Sequence, residues 1–444
     1  MSKLKKDVQL TLLSRVPVMV LSFLSVIFLT RLLGPEGNGV YTFSMAALNL
    51  FFVLIGFQLE GTLPVFLAKE KENTPGIFSA IAMLSISSFL VFIILLTAIV
   101  FVIPDGIRFV ISPGQPVIFF FLFLVIAFIL RRISTLIFAV LRGCFKFKAY
   151  NVYMILSQLI PSIVYGLLFW MSVRGTIDLS MQACFQIILL LELILVLIGL
   201  YMIRKARIVK FSRDYQKFIG PITSLSTKTM LSSAGHFLNK RLDVWFVQFY
   251  NGTAMVGQYG LATQIANFIS EAMTPFNQVL TPYIAEATPE EHKEIVERTA
   301  RLNLTIALTA AVLIIGTSWI FIPLFFGKAF VYAIPATQIL ALGIIFISQR
   351  LVFIGYFKAI NQMKHAIQAA WTGVVITILL DILLIPTYGI IGAAWATTIA
   401  YGTTVIFLMI IAKRKLGFQW TSVLMVRKSD IKWLLSKTSK DGVT

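Results

Sequence analysis

Long apolar runs set the pattern of this chain. Windows of about 20 apolar residues, enough to cross the ~30 Å hydrocarbon core of a bilayer, recur along the sequence and are separated by short polar turns. The runs are continuous instead of alternating, so they predict helices and not barrel strands. Twelve spans are expected, at roughly 9–33, 38–58, 76–103, 116–141, 148–173, 180–203, 218–249, 255–284, 300–322, 332–356, 362–385 and 389–412. The seventh is the most heavily charged of them. The predicted fold class is an all-α integral membrane protein.

Composition sharpens this picture. Of the 444 residues, 58% are hydrophobic and only 13% charged, with mean hydropathy +0.89, whereas soluble domains carry about a quarter charged residues. The net charge of +19 raises a nucleic-acid role, but its distribution argues against one. With the amino terminus on the cytoplasmic side, the inner connections and the tail hold 27 Lys and Arg, and the outer ones hold only Arg31, Arg108, Arg174 and Lys328. That asymmetry is the positive-inside rule. It predicts a multi-pass protein of the plasma membrane with both termini cytoplasmic, its basic loops against anionic lipid. The first apolar run, ~25 residues after a basic start, is too long for the h-region of a signal peptide and reads as a retained helix. Cys144 and Cys184 form neither a disulfide framework nor a metal site, and no cofactor is expected.

The chain also repeats itself. Gly34-Pro-Glu-Gly-Asn-Gly39-Val-Tyr41 and Gly252-Thr-Ala-Met-Val-Gly257-Gln-Tyr259 share a Gly-x4-Gly-x-Tyr spacing at an offset of 218. Asn49 and Asn267 match at the same offset, and Arg142 to Lys148 pairs with Lys358 to Lys364 at 216. These spacings predict two six-helix lobes, 1–213 and 214–412, in parallel orientation about an axis along the membrane normal. A basic tail, 413–444, would follow. With Trp420, Leu424, Val426, Trp433, Leu434 and Leu435, it predicts an amphipathic helix on the inner leaflet. The repeated turn reads as structural: glycine permits a tight reversal and tyrosine suits the interface.

Polar side chains inside the spans mark candidate chemistry, because a charge at mid-bilayer faces a cavity or a partner. In the eighth span Gln264, Asn267, Glu271, Thr274, Gln278 and Thr281 share one helical face. This stripe predicts a water-filled cavity, with hydrogen bonding between packed helices as the alternative. In the seventh, Lys228, Ser232, Gly235, Asn239 and Asp243 share a face. Arg15, Arg131, Arg132, Lys228, Lys240, Arg241 and Arg350 outnumber Glu192, Asp243, Glu271 and Asp381. Lys228, Arg15 and Arg350 lie where snorkelling competes with a cavity role. An interior with excess cations attracts an anion, phosphate above all. Asp243 and Glu271, candidates for carrying a coupling proton, stand opposite Ser25 and Val53 of the first copy, so the acidic residues of these stripes belong to the second lobe alone.

Arg31-Leu-Leu-Gly-Pro-Glu-Gly-Asn-Gly-Val-Tyr41 after a first apolar span resembles the opening of polysaccharide-biosynthesis flippases. These form the O-antigen-type branch of the superfamily that includes the multidrug and toxic-compound extrusion transporters. Arg241-Leu-Asp243 with Gly252 to Tyr259, and Tyr388-Gly-Ile-Ile-Gly-Ala-Ala394, resemble later regions of the same family, so the likeness covers about 1–412. The resemblance implies movement of an undecaprenyl-pyrophosphate-linked oligosaccharide from the inner to the outer leaflet by alternating access. It also implies a multidrug-exporter-like architecture and glycan-assembly proteins as partners. Arg131, Arg132, Lys228, Arg15, Arg241 and Arg350 would hold the pyrophosphate, and the polar stripe would pass the sugars. Two other readings are a drug exporter of the same fold and a membrane enzyme of glycan assembly, a polymerase or ligase. A pump for cations would want an acid-dominated cavity. An enzyme would want a sizeable outer loop, yet the longest outer connection, near 104–115, is about a dozen residues.

Overall fold

The computed structural model describes residues 2–206, 208–360 and 362–424; the side chains of 2–13, 71, 232, 271–283, 285, 286, 289 and 424 lie outside the described residues. Every regular element described is helical. In lipid, this closes each segment's backbone hydrogen bonds within itself. The helices are α1 (Ser2–Leu54), α2 (Leu59–Lys69), α3 (Thr74–Thr97), α4 (Val117–Gly143), α5 (Phe147–Val173), α6 (Met181–Lys205), α7 (Gln216–Arg241), α8 (Asp243–Asn251), α9 (Thr253–Glu286), α10 (Pro289–Phe326), α11 (Ala333–Ala359), α12 (Met363–Leu416) and α13 (Trp420–Leu424).

Among the described residues, eight helices are long and apolar enough to cross a membrane. Two of these, α1 and α12, pass through a glycine with positive φ, Gly34 and Gly389, which lets one long apolar run reverse within itself. The seventh and eighth predicted spans are helical; both include residues whose side chains lie outside the described ones, and neither is among those eight. The seventh divides into α7 and α8 at Leu242, beside Asp243.

The described residues form two compact units: the chain up to Leu261 together with Ile322–Val331, and Ala262–Phe321 together with Tyr332 onward. In the first, α1 packs on α5, α4 on α6, and α2 on α4. Its core is aromatic: Phe51, Phe92, Phe120, Phe123, Phe128 and Phe185 are buried together, with Phe92 and Phe128 stacked at 4.1 Å. In the second unit α11 packs on α12 around Val352, Phe353, Phe357 and Leu408. The start of the predicted tail belongs to this core, since Phe418 and Val423 are buried in it. Arg301 donates to the Ser422 carbonyl, the Ser422 hydroxyl to Glu297 and Lys293 to the Gly417 carbonyl. Val426, Trp433, Leu434 and Leu435, the rest of the predicted amphipathic helix, lie outside the described residues.

The repeated turns meet inside the first unit. Gly34 (φ 63°, ψ −179°) and Gly252 (φ 82°, ψ 176°) adopt one conformation, in a region that almost only glycine occupies. A Cβ on Gly39 would sit 1.9 Å from the Thr253 carbonyl oxygen, and one on Gly257 1.9 Å from that of Pro35. Gly260 lies against Thr42 in the same way, and the Asn38 side-chain amide donates to the Gly257 carbonyl at 2.7 Å. Positions 39 and 257, 35 and 253, and 42 and 260 each differ by the 218 residues of the sequence repeat. Adding the offset to one close contact therefore gives the other. Small residues let helix backbones approach this closely where no hydrophobic force drives helices together in lipid.

Candidate functional site

The charged residues of α4 stand where three elements converge. The helix path from α1 into α2 breaks at 55–58, and Arg132 reaches the break from α4. Its Nη2 donates to the Gly56 carbonyl at 2.8 Å, and its Nη1 pairs with a Glu60 carboxylate oxygen at 3.2 Å. The guanidinium stacks on Phe52 at 4.6 Å and is 4% exposed. Arg131, one residue earlier, faces elsewhere, as a 100° step requires. Its guanidinium also lies over the Phe52 ring, 5.5 Å from the centroid. Tyr41 and Glu192 are within its electrostatic reach, and Tyr41 also feels Arg241. Glu192 stands on α6, within electrostatic reach of Arg131. The result is a half-buried group of two cations, an anion and a phenol, with Arg131 at its centre.

The other expected residues are more dispersed. Arg15 is half-buried and Lys228 exposed. Asp243 is buried and accepts from the hydroxyl of Tyr259, itself wholly buried. The tyrosine of the second turn therefore serves an interior carboxylate, not the interface, and that of the first turns toward Arg131. In the second unit Arg350 is buried on α11, with Tyr401 within electrostatic reach, and Asp381 is buried on α12. Gln264 and Asn267 are half-buried. The side chains of Glu271, Thr274, Gln278 and Thr281 lie outside the described residues, so the lower part of the stripe is helical backbone only.

Sequence reasoning missed Glu60 and both tyrosines. Glu60 closes an apolar run, where a charge reads as interfacial, and its partner is 72 residues away. Gly56 before it was the available signal, a glycine in mid-run. Tyr259→Phe tests the interior role of the second tyrosine: removing the donor to a buried carboxylate costs about 1–3 kcal/mol. The purified protein should melt several degrees lower, and an unchanged melting temperature would mean that Asp243 does not depend on Tyr259.

A family model described as polysaccharide biosynthesis protein matches residues 4–288. The chain belongs to that family. Two curated relatives are each 25% identical to it. One is an uncharacterized membrane protein of Methanocaldococcus jannaschii, matched over 54% of this chain and 50% of its own length. The other is a probable low-salt glycan biosynthesis flippase of Haloferax volcanii, matched over 41% and 39%. The chain thus spans half or less of the curated relatives it matches. Among solved structures it is similar to an inward-facing MATE transporter of the MOP superfamily, with TM-score 0.70, 14% identity and 90% and 94% of the two chains covered. It is also similar to the lipid II flippase MurJ in an inward closed conformation, with TM-score 0.63, 19% identity and 88% and 87% covered. At these identities the likeness shows the fold: a helical membrane protein with the architecture of MOP-superfamily transporters.

Proposed function

We propose that this protein is a flippase that moves a lipid-linked oligosaccharide from the inner to the outer leaflet of the plasma membrane, by alternating access, for cell-surface polysaccharide biosynthesis. Membership of the polysaccharide biosynthesis family carries this reading, and the flippase name of the Haloferax relative supports it. Two six-helix lobes, 1–213 and 214–412, would rock about the site, with both termini cytoplasmic. The cargo head group is a polyprenyl pyrophosphate, as the excess of interior cations favours. Arg131 is the foremost of these cations: it is half-buried, and the Tyr41 phenol feels both it and Arg241, so water screens its pull on a phosphate less than at a fully exposed site. Lys228, Arg15, Arg241 and Arg350 would extend the cationic path, with Arg132 beside it. Gln264, Asn267, Glu271, Thr274, Gln278 and Thr281 would pass the sugars, and Glu271 or Asp243 would carry a coupling proton.

Deleting the gene tests the reading. Lipid-linked oligosaccharide should accumulate on the inner leaflet while surface glycan falls, and the intact gene should restore export. Surface glycan at the parental level after deletion would overturn it. The same strain distinguishes a drug exporter, whose loss would sensitise cells to cationic drugs and leave the glycan untouched.

A further inference from the structure

The break at 55–58 is strained, and Arg132 is the side chain that bonds on both sides of it, while Thr62 donates to the Gln58 carbonyl and Arg142 to the Glu60 carbonyl. Phe57 and Gln58 both have left-handed backbone, φ 53° and 49°, a region that disfavours L-residues and bulky ones most of all. Two such residues in succession persist only where surrounding contacts impose them, and they cluster at switch regions. Here Arg132 supplies the contact that spans the break. It ties the last turn before the break, through the Gly56 carbonyl, to the first turn after it, through Glu60. Gly56 has no room for a side chain, since a Cβ would come within 2.5 Å of the Arg132 Nη2. Across the break the backbone bonds resume from Gly61 and Thr62 to the Gln58 carbonyl. The Phe57 side chain lines an apolar cleft with Leu84, Val91 and Thr223, which leaves it space to swing.

We propose that Arg132 and Glu60 are positioning residues, which latch the joint at 55–58 in its broken form, and that Arg132 serves transport through this joint instead of by holding the cargo. The inference rests on the transporter reading and refines it. A continuous helix through 55–58 would relieve two left-handed residues and release the Gly56 carbonyl from Arg132. The strain and the charge-assisted bonds are of the same order, so the two forms lie close in energy. Arg131 shares the Phe52 ring with Arg132. An anion drawn to Arg131 therefore arrives beside the latch and competes with Glu60 for Arg132. Arrival of the head group and movement of the joint are coupled in this way.

Hydrogen exchange of the purified full chain in nanodiscs, with farnesyl pyrophosphate as the probe, tests the latch. Arg132→Gln should speed amide exchange in peptides covering 55–62 by about ten-fold, while the distal turns of α4 keep theirs, and Arg132→Lys should recover part of the protection. In the parental protein, saturating farnesyl pyrophosphate should change exchange in the same peptides. Arg131→Ala should abolish that response. Arg132→Gln that loses glycan export with 55–62 exchanging as in the parent would overturn the proposal in favour of direct cargo contact; a variant unchanged in both would overturn it outright. Should Arg132→Gln fail to insert, Glu60→Gln, which keeps size and an acceptor, carries the test: faster exchange at 55–62 supports the latch and an unchanged rate overturns it. The resting exchange result stands whether or not deletion affects glycan, so failure of the flippase reading is seen separately.

Discussion

Gly257→Ala is expected to destabilise the folded protein by about 1–3 kcal/mol or more, the range for forcing extra volume into a packed contact. The new methyl would sit 1.9 Å from the Pro35 carbonyl oxygen and 2.8 Å from the Gly39 nitrogen. Both are backbone atoms, so no rotamer change can make room and the two segments must separate. Gly39→Ala should behave the same way, because its Cβ meets the Thr253 carbonyl at 1.9 Å. Gly220, inside α7, supplies the control. Nothing beyond its chain neighbours lies within 4 Å of its Cβ position, and alanine there should be close to neutral, because the helix-propensity gain of about 0.5–1 kcal/mol is offset by the ring of the following Pro221. Melting of the detergent-solubilised proteins checks all three: Gly257→Ala and Gly39→Ala should drop by several degrees and Gly220→Ala should hold. Variants at 39 and 257 that melt with the parent would mean that the two turns are not in backbone contact.

The sequence offset of 218 residues pointed to this contact without revealing it. Spacing reported that the turns match; it carried no information that they touch. A shared conformation at Gly34 and Gly252 was legible, since a glycine retained at both positions implies a backbone that other residues avoid. That Gly39 and Gly257 also match was readable as more turn chemistry, when their role is to let two helices approach. Tyr41 and Tyr259 were misplaced for a related reason. Tyrosine near a turn between apolar runs suits the interface, and only the fold brings Asp243 beside one and Arg131 beside the other.

The break at 55–58 marks the firmest limit of sequence reading. The second expected span, 38–58, ends at this break, but the run from Phe51 to Phe57 is apolar and contains no proline, so its pattern gives no sign of two left-handed residues. The guanidinium that bonds the break comes from 76 residues away. Long-range partners are invisible to periodicity, and so is the acid that completes the pair. The α7–α8 interruption is similar: Lys240, Arg241 and Asp243 advertised a charged stretch, but not that the helix would pause there. Where the signal was local the reading went further. Apolar runs became helices, and adjacent arginines on one helix took different environments because 100° separates them.

Arg131→Ala is expected to reduce glycan export by about ten- to a hundred-fold at unchanged protein level. A charge-assisted bond to a phosphate is worth about 1.5–3 kcal/mol, and each 1.4 kcal/mol is a factor of ten in affinity. A second effect runs in parallel. Glu192 takes part of its electrostatic support from Arg131, so truncation leaves a half-buried carboxylate with less compensation, which is itself costly. The two effects separate in the double variant. With Glu192→Gln added, the stranded charge is gone and stability should return to near the parental value. If Arg131 binds the head group, export and farnesyl pyrophosphate binding stay low in that stable protein. If Arg131 only neutralises Glu192, the double variant recovers both. Recovery of export would remove Arg131 from the cargo site and leave Arg241 and Tyr41, of the same half-buried group, as the residues to test for phosphate contact.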